Sequence, residues 1–220
     1  MAGLICVSCI EPDLAACRAA LAGLDFAELR LDALAVEPGQ LAGLIAGHPR
    51  LVATCRPGRG RTTERRAELL RAAAAAGAAY LDVALDDPPA LRTAAAAAAR
   101  RCGCALIVSH HDFQTTPDAA RLRQLRQACF AAGAGLAKIA CTPAGPRDNA
   151  RLLGLLDSAR PTVVVGMGPA GRPTRLLAPL LGAPFTYASL RPDRPAAPGQ
   201  IDHLRLRRWL DLMASPGGLA

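Results

Sequence analysis

At 220 residues the chain is long enough for one large domain or two small ones, and with 51% hydrophobic but only 3% aromatic residues its core is aliphatic and alanine-rich. Its formal net charge of +8 is carried by arginines scattered over many segments, with almost no aromatics between them. That pattern argues against a nucleic-acid partner and for a small anionic substrate. With no charge-free apolar run of about 18 residues, and no basic-then-apolar start, the expectation is no membrane span, no signal peptide and a cytoplasmic location.

Short apolar runs alternate along the chain with amphipathic stretches of about one helix each. The runs are Leu4 to Ser8, Phe26 to Arg30, Leu51 to Cys55, Tyr80 to Val83, Ala105 to Ser109, Gly135 to Ile139, Thr162 to Gly166 and Phe185 to Ser189. The helix-like stretches are Pro12 to Leu21, Pro38 to Gly47, Thr62 to Ala76, Pro88 to Arg101, Pro117 to Ala132, Arg147 to Ala159, Thr174 to Leu181 and Ile201 to Met213. Several open with a proline and stop at a glycine, as in Glu37-Pro38 and Ala131-Ala132-Gly133. Eight strand–helix units in series require parallel strands with helical crossovers, and this number in this length is that of a (β/α)8 TIM barrel. An open doubly wound sheet is the alternative, weakened by the lack of G-x-G-x-x-G after the first strand. No linker or composition shift divides residues 1–220, so they read as one α/β domain, with Arg191 to Pro198 a loop after strand eight and the tail beyond Met213 frayed.

The eight cysteines lie in or beside apolar strands and helices. Cys6-Val7-Ser8-Cys9 has C-x-x-C spacing, but it has neither a second pair for zinc nor a following helix start for a redox motif. Reduced buried thiols in the cytoplasm are expected.

The segment Ala134-Gly135-Leu136-Ala137-Lys138-Ile139-Ala140-Cys141 reads as a buried strand that carries a lysine, and Lys138 is the only lysine among the 26 basic residues. A buried ammonium is costly, and a lysine is kept there where its amine is needed as a nucleophile toward carbonyls, which arginine cannot supply. A strand-end lysine reaching to water is the bland reading.

In a barrel the chemistry sits at the C-terminal ends of the strands, and the unusual polar residues fall there. They are Ser8 on strand one; Glu28 and Arg30, then Asp32, on strand two; Arg56 after strand three; Asp82 on strand four; His110, His111 and Asp112 after strand five; Lys138 on strand six; Met167 after strand seven; Arg175 in loop seven; and Gln200 in loop eight. Singly each has a plain explanation: Glu28 with Arg30 as a structural ion pair, Arg56 and Arg175 as solvated loop residues, Asp112 as a turn former. Together they make a ring of acids, bases and cations. Lys138 could form an imine with a ketone, whose protonated form makes a neighbouring C–H acidic, and His111 could take that proton and return it to a leaving group. Arg30, Arg56 and Arg175 suit carboxylate and hydroxyl recognition. This is the chemistry of a Schiff-base enzyme acting on a small, anionic, hydroxylated ketone, with elimination and aldol cleavage both open.

Six motifs in order resemble those of the type I 3-dehydroquinate dehydratases: Glu28-Leu29-Arg30-Leu31-Asp32, Thr54-Cys55-Arg56-Pro57, Ser109-His110-His111-Asp112-Phe113, Ala137-Lys138-Ile139-Ala140, Met167-Gly168 with Gly171 and Thr174-Arg175, and Ala197-Pro198-Gly199-Gln200. The resemblance implies dehydration of 3-dehydroquinate to 3-dehydroshikimate in the shikimate pathway of aromatic amino acid biosynthesis. It implies Lys138 as the imine lysine, His111 rather than His110 as the proton donor and acceptor, and Arg175 on the substrate carboxylate. Ser8, Glu28, Arg30, Arg56 and Gln200 would bind substrate and Met167 would pack on it. It further implies no metal or organic cofactor and a cytoplasmic homodimer. Another Schiff-base aldolase-type barrel, or a non-catalytic binding relative, are the competing functions. The sequence departs from the family pattern in three places. Gly58-Arg59-Gly60-Arg61 lacks the acid common after Arg56. Asp82-Val83-Ala84 lacks the second acid of strand four, leaving Asp82. Ala196 stands where a serine usually precedes Gln200. The chain is also short for the family, as if without the N-terminal hairpin.

Overall fold

The computed structural model describes residues 4–48, 50–58 and 60–214. The strands are β1 (Leu4–Cys9), β2 (Ala27–Arg30), β3 (Leu51–Thr54), β4 (Tyr80–Ala84), β5 (Ala105–Asp112), β6 (Leu136–Cys141), β7 (Thr162–Gly166) and β8 (Phe185–Ser189). Between and after them come α1 (Leu14–Leu21), α2 (Ala42–Ile45), α3 (Thr63–Ala75), α4 (Pro89–Cys102), α5 (Ala119–Ala131), α6 (Pro146–Leu153), α7 (Gly168–Leu180) and α8 (His203–Ala214). The strands form one sheet in the order β7-β6-β5-β4-β3-β2-β1-β8. Pairs β2–β3, β3–β4, β4–β5 and β6–β7 are parallel. Strand–helix alternation with this order is the (β/α)8 barrel fold.

The chain packs as two compact units. One comprises residues 8–109 and 128–136 and contains β2, β3, β4, most of β5 and helices α1 to α4. Its core is aliphatic, with Leu29, Leu31, Leu81, Ile107 and Val108 fully buried. Helices α3 and α4 bury alanines (Ala73, Ala74, Ala95, Ala98 and Ala99), whose small side chains let backbones approach closely. The capping chemistry sets their ends. The Thr62 hydroxyl accepts from the Arg65 N–H at 3.2 Å to start α3, and Gly103, at φ +70°, closes α4 in the left-handed conformation. The second unit comprises residues 1–7, 110–127 and 137–220 and contains β7, β8, α6, α7, α8 and most of β6 and α5. Ile139, Val163 and Val164 are buried on its strands.

Four boundaries differ from expectation. The stretch from Pro38 to Gly47 splits into a 3-10 turn, Pro38–Gln40, and the short α2, because Gly39 and Gly43 weaken a continuous helix. Helix α6 ends at Leu153 and tightens into a 3-10 turn over Gly154–Leu156. Strand β5 continues to Asp112, so His110, His111 and Asp112 belong to the strand instead of following it. Helix α7 begins at Gly168 instead of Thr174, which places Arg175 well inside the helix and not in a loop or at the helix start. Helix α8 closes at Ala214, and the expected frayed tail falls on residues 215–220, outside the described residues, as does Arg59 of the loop after Arg56. No described helix is long and apolar enough to cross a membrane. All eight cysteines are free, and Cys6, Cys9, Cys17, Cys55, Cys129 and Cys141 are buried, but Cys102 is exposed and Cys104 half-buried because they lie at and just past the end of α4.

Candidate active site

Each unit carries a cluster of the sequence-predicted residues on or beyond the C-terminal halves of its strands. In the unit of β2 to β4 the centre is Glu28, buried, with Ser8 Oγ donating to its Oε2 at 3.0 Å and Thr54 Oγ1 donating to its Oε1 at 2.9 Å. Two hydroxyls aimed at one carboxylate fix its plane. Arg30 does not take Glu28 as its bidentate partner: its Nε and Nη2 donate to the two oxygens of Asp32, at 3.0 and 2.8 Å. Asp32 also accepts the Arg56 backbone N–H at 3.1 Å. Burial alone would raise the Asp32 carboxyl, but the Arg30 hydrogen bond and charge and the Arg56 N–H hold it below the usual carboxylate range. Its contribution to stability is therefore present above the ordinary carboxylate range and lost as pH falls through the lowered value.

Arg56 turns its side chain to Asp82, with Nη2 2.8 Å from Oδ1, and the same oxygen accepts from Ser109 Oγ at 2.6 Å. Burial works against the Arg56 charge, but Asp82 and Glu28 outweigh it and raise the guanidinium. The solvated-loop reading of Arg56 is thus corrected: it is anchored to the carboxylate that strand four retains. Behind it, Arg66 donates to the Cys55 carbonyl at 2.9 Å and to Asp87 at 2.7 Å, and Asp87 accepts the Ala84 N–H at 2.7 Å. This buried pair joins the ends of β3 and β4. Sequence reasoning passed over it because an arginine on a helix and an aspartate in a loop look solvated one at a time.

In the other unit Lys138 is the third residue of β6, its backbone in register with Val163, and is only 6% exposed. The reading as a strand-end lysine reaching to water is set aside by that position. Its Nζ lies 4.1 Å from the centroid of the Tyr187 ring. Tyr187 is a residue that sequence reasoning missed, although it shares one face of strand eight with Phe185 and Ser189 by simple alternation. Arg175, in α7, is 1% exposed and far from solvated. Its Nη1 donates to the Tyr187 carbonyl and its Nη2 to the Pro198 carbonyl, both at 3.3 Å, while the buried Nε has no partner among the described residues. Burial, helped by the charge of Arg172, pushes the guanidinium down to about 10, so it stays charged at neutral pH. A buried cation whose hydrogen bonds among the described residues go to carbonyls can receive an anion.

Met167 is buried at the N-cap of α7, with its N–H donating to the Cys141 carbonyl at 2.8 Å. His111 is half-buried on β5, stacked against Phe113 with ring centroids 6.0 Å apart. Asp112 does act as a turn former, as its plain reading had it: it accepts the Gln114 and Thr115 N–H groups at 2.9 and 2.8 Å. Gln200 is half-buried in the loop after β8, its Oε1 accepting the Ala196 N–H at 2.8 Å. The backbone of residue 196 supplies this contact, and no side chain there is needed for it.

The loop carrying Gln200 is also seated on α7 by backbone contacts, beside the Arg175 hydrogen bond. The Gly168 N–H donates to the Pro198 carbonyl at 3.1 Å, and Gly199, at φ +76°, packs so tightly that a Cβ there would lie 2.2 Å from the Gly168 oxygen. Gly171 meets the backbone of Gly166 in the same way, with Thr174 Oγ1 accepting the Gly166 N–H at 2.7 Å. Gly199→Ala is expected to destabilise the fold by about 1–3 kcal/mol and to raise KM for the substrate by pushing the loop outward, read by thermal denaturation and steady-state kinetics. Unchanged KM would show that the seat does not matter to binding. Among the described residues no group of three or more His, Cys, Asp or Glu side chains is arranged to hold a metal ion.

The family model of type I 3-dehydroquinase matches residues 5–216. A 3-dehydroquinate dehydratase of Thermococcus gammatolerans is 36% identical over 194 residues, covering 86% of this chain and 88% of the relative. One from Syntrophobacter fumaroxidans is 34% identical over 211 residues, covering 88% of each. The crystal structure of the 3-dehydroquinate dehydratase of Geobacillus kaustophilus superposes with a TM-score of 0.82 at 24% identity, covering 96% of this chain and 91% of that one, and has the same fold. The matched span takes in all of β2 to β8, β1 from Ile5 and both clusters, and the chain belongs to the type I 3-dehydroquinase family.

Proposed function

We propose that the chain dehydrates 3-dehydroquinate to 3-dehydroshikimate through an imine on Lys138, as a single catalytic barrel. The observation that carries the reading is the buried position of the only lysine, mid-strand on β6, within a chain of this hydro-lyase family. Attack of the Lys138 amine on the C3 ketone releases water and leaves a protonated imine, an electron sink that acidifies the C2 proton. His111 takes that proton and then delivers it to the C1 hydroxyl, which leaves as water, and hydrolysis of the imine frees the product and the lysine. No external oxidant or reductant is consumed, and neither a metal nor an organic cofactor is required.

Arg175 is assigned to the substrate carboxylate, which would relieve the cost of its buried charge. Glu28, held by Ser8 and Thr54, and Arg30 and Arg56, held by Asp32 and Asp82, are assigned to the substrate's hydroxyls. Met167 is assigned to its apolar edge and Gln200 to the loop that covers it. The substrate reaches a cytoplasmic homodimer in this reading. Arg175→Lys replaces a planar fork by a point charge and is expected to raise KM about 10- to 100-fold with a smaller change in kcat. A fall in kcat at unchanged KM would remove Arg175 from carboxylate binding.

Borohydride reduction in the presence of 3-dehydroquinate tests the whole proposal. Intact mass and peptide mapping should place a reduced adduct, at the mass of substrate or dehydrated product, on the peptide bearing Lys138. Folded protein that yields no adduct would overturn the imine.

A further inference from the structure

The ring beneath the lysine is built into the fold as firmly as the lysine itself. Tyr187 is 3% exposed, and Phe185 meets it edge-on, centroids 5.5 Å apart at 70°. Its backbone is held from the other side by Arg175, whose Nη1 donates to the Tyr187 carbonyl at 3.3 Å. One residue of β8 therefore presents its ring face to Nζ of Lys138 at 4.1 Å and its carbonyl to the guanidinium assigned to the substrate. A lysine stem is long and flexible, and a cation over an aromatic face is attracted by the ring quadrupole, more strongly where water is excluded. The same attraction acts on a protonated imine, which keeps its positive charge on the same nitrogen.

We propose that Tyr187 is a positioning residue for Lys138, its ring face holding the nitrogen in one place both as the ammonium and as the protonated imine. This rests on the imine reading above. It assigns the work to the ring and none to the phenol hydroxyl, so phenylalanine should serve and an aliphatic side chain should not.

The single lysine makes the test direct, because protein grown with lysine labelled with carbon-13 at the ε position gives one side-chain signal. In the full-length protein without substrate, the ε-methylene protons should be shielded by the ring in the natural chain and in Tyr187→Phe. They should move to the position of an ordinary lysine in Tyr187→Leu. With 3-dehydroquinate, Tyr187→Phe should keep kcat within about threefold, while Tyr187→Leu should lose roughly three- to thirtyfold in kcat with little change in KM. Tyr187→Met, flexible and ring-free, should follow Leu and covers the case in which the Leu variant does not fold. An unshielded signal in the natural chain overturns the proposal, as does full kcat in the Leu or Met variant. A Phe variant as slow as the Leu variant would overturn it in favour of the hydroxyl. Borohydride trapping on the natural chain separates the two failures. An adduct with an unshielded signal sinks only the positioning role, whereas a shielded signal with no adduct sinks the imine and the role with it.

Discussion

Lys138→Ala is expected to abolish turnover of 3-dehydroquinate while leaving ligand binding measurable by calorimetry. In the proposed mechanism the amine is the nucleophile and the protonated imine it forms is the electron sink, and the sequence has no second lysine to substitute for it. The loss should be at least about 10⁴-fold in kcat, since both imine formation and acidification of the C2 proton depend on it. Burial makes a control necessary: removing a side chain that is only 6% exposed leaves a cavity, so the variant must be shown to melt cooperatively before its silence is read as chemistry. Borohydride should then give no adduct. Turnover that persists at the natural rate would end the imine mechanism.

His111→Ala separates the imine from the proton transfers. The variant should still be trapped by borohydride on Lys138, because carbon–nitrogen bond formation does not require the imidazole, but kcat should fall about 10²- to 10⁴-fold. The ring is half-buried and stacks on Phe113, which is itself 68% exposed, so its removal should cost the fold little. Single-turnover measurements should show the imine accumulating ahead of product. Loss of the adduct in a folded variant would mean that His111 acts earlier, in forming the imine.

The periodic parts of the fold were legible. Apolar runs of strand length, punctuated by proline starts and glycine stops, located all eight strands and most helices, and Thr162–Gly166 and Phe185–Ser189 coincide with their predicted runs. The start of α7 was not legible, because Gly168, Pro169 and Gly171 carry loop chemistry. In the fold Gly171 lies against the backbone of Gly166, a close approach that no local pattern encodes. Strand β5 runs on through His110 and His111 to Asp112, although its register with β4 ends at Ser109, so the apolar run marked only its paired part.

The candidate residues were legible as types at strand ends, but their partners were not. Alternation puts Glu28 and Arg30 on one side, which suggested that they pair. In the fold Arg30 finds Asp32, two residues on, and Glu28 collects hydroxyls from β1 and β3. Tyr187 was invisible as a partner of Lys138 because the two are far apart in sequence and only tertiary packing brings the ring to the amine.

The seat of the Gln200 loop has a consequence for how this chain can vary. The atom that excludes a side chain at Gly199 is the carbonyl oxygen of Gly168, and the atoms that exclude one at Gly171 are the backbone of Gly166. Every amino acid brings those same atoms. A larger residue at either position therefore meets main chain first, and trimming a neighbouring side chain does not remove that clash. Relief can come only from moving the main chain, and with it Gln200 and the carbonyl of Pro198 that Arg175 holds.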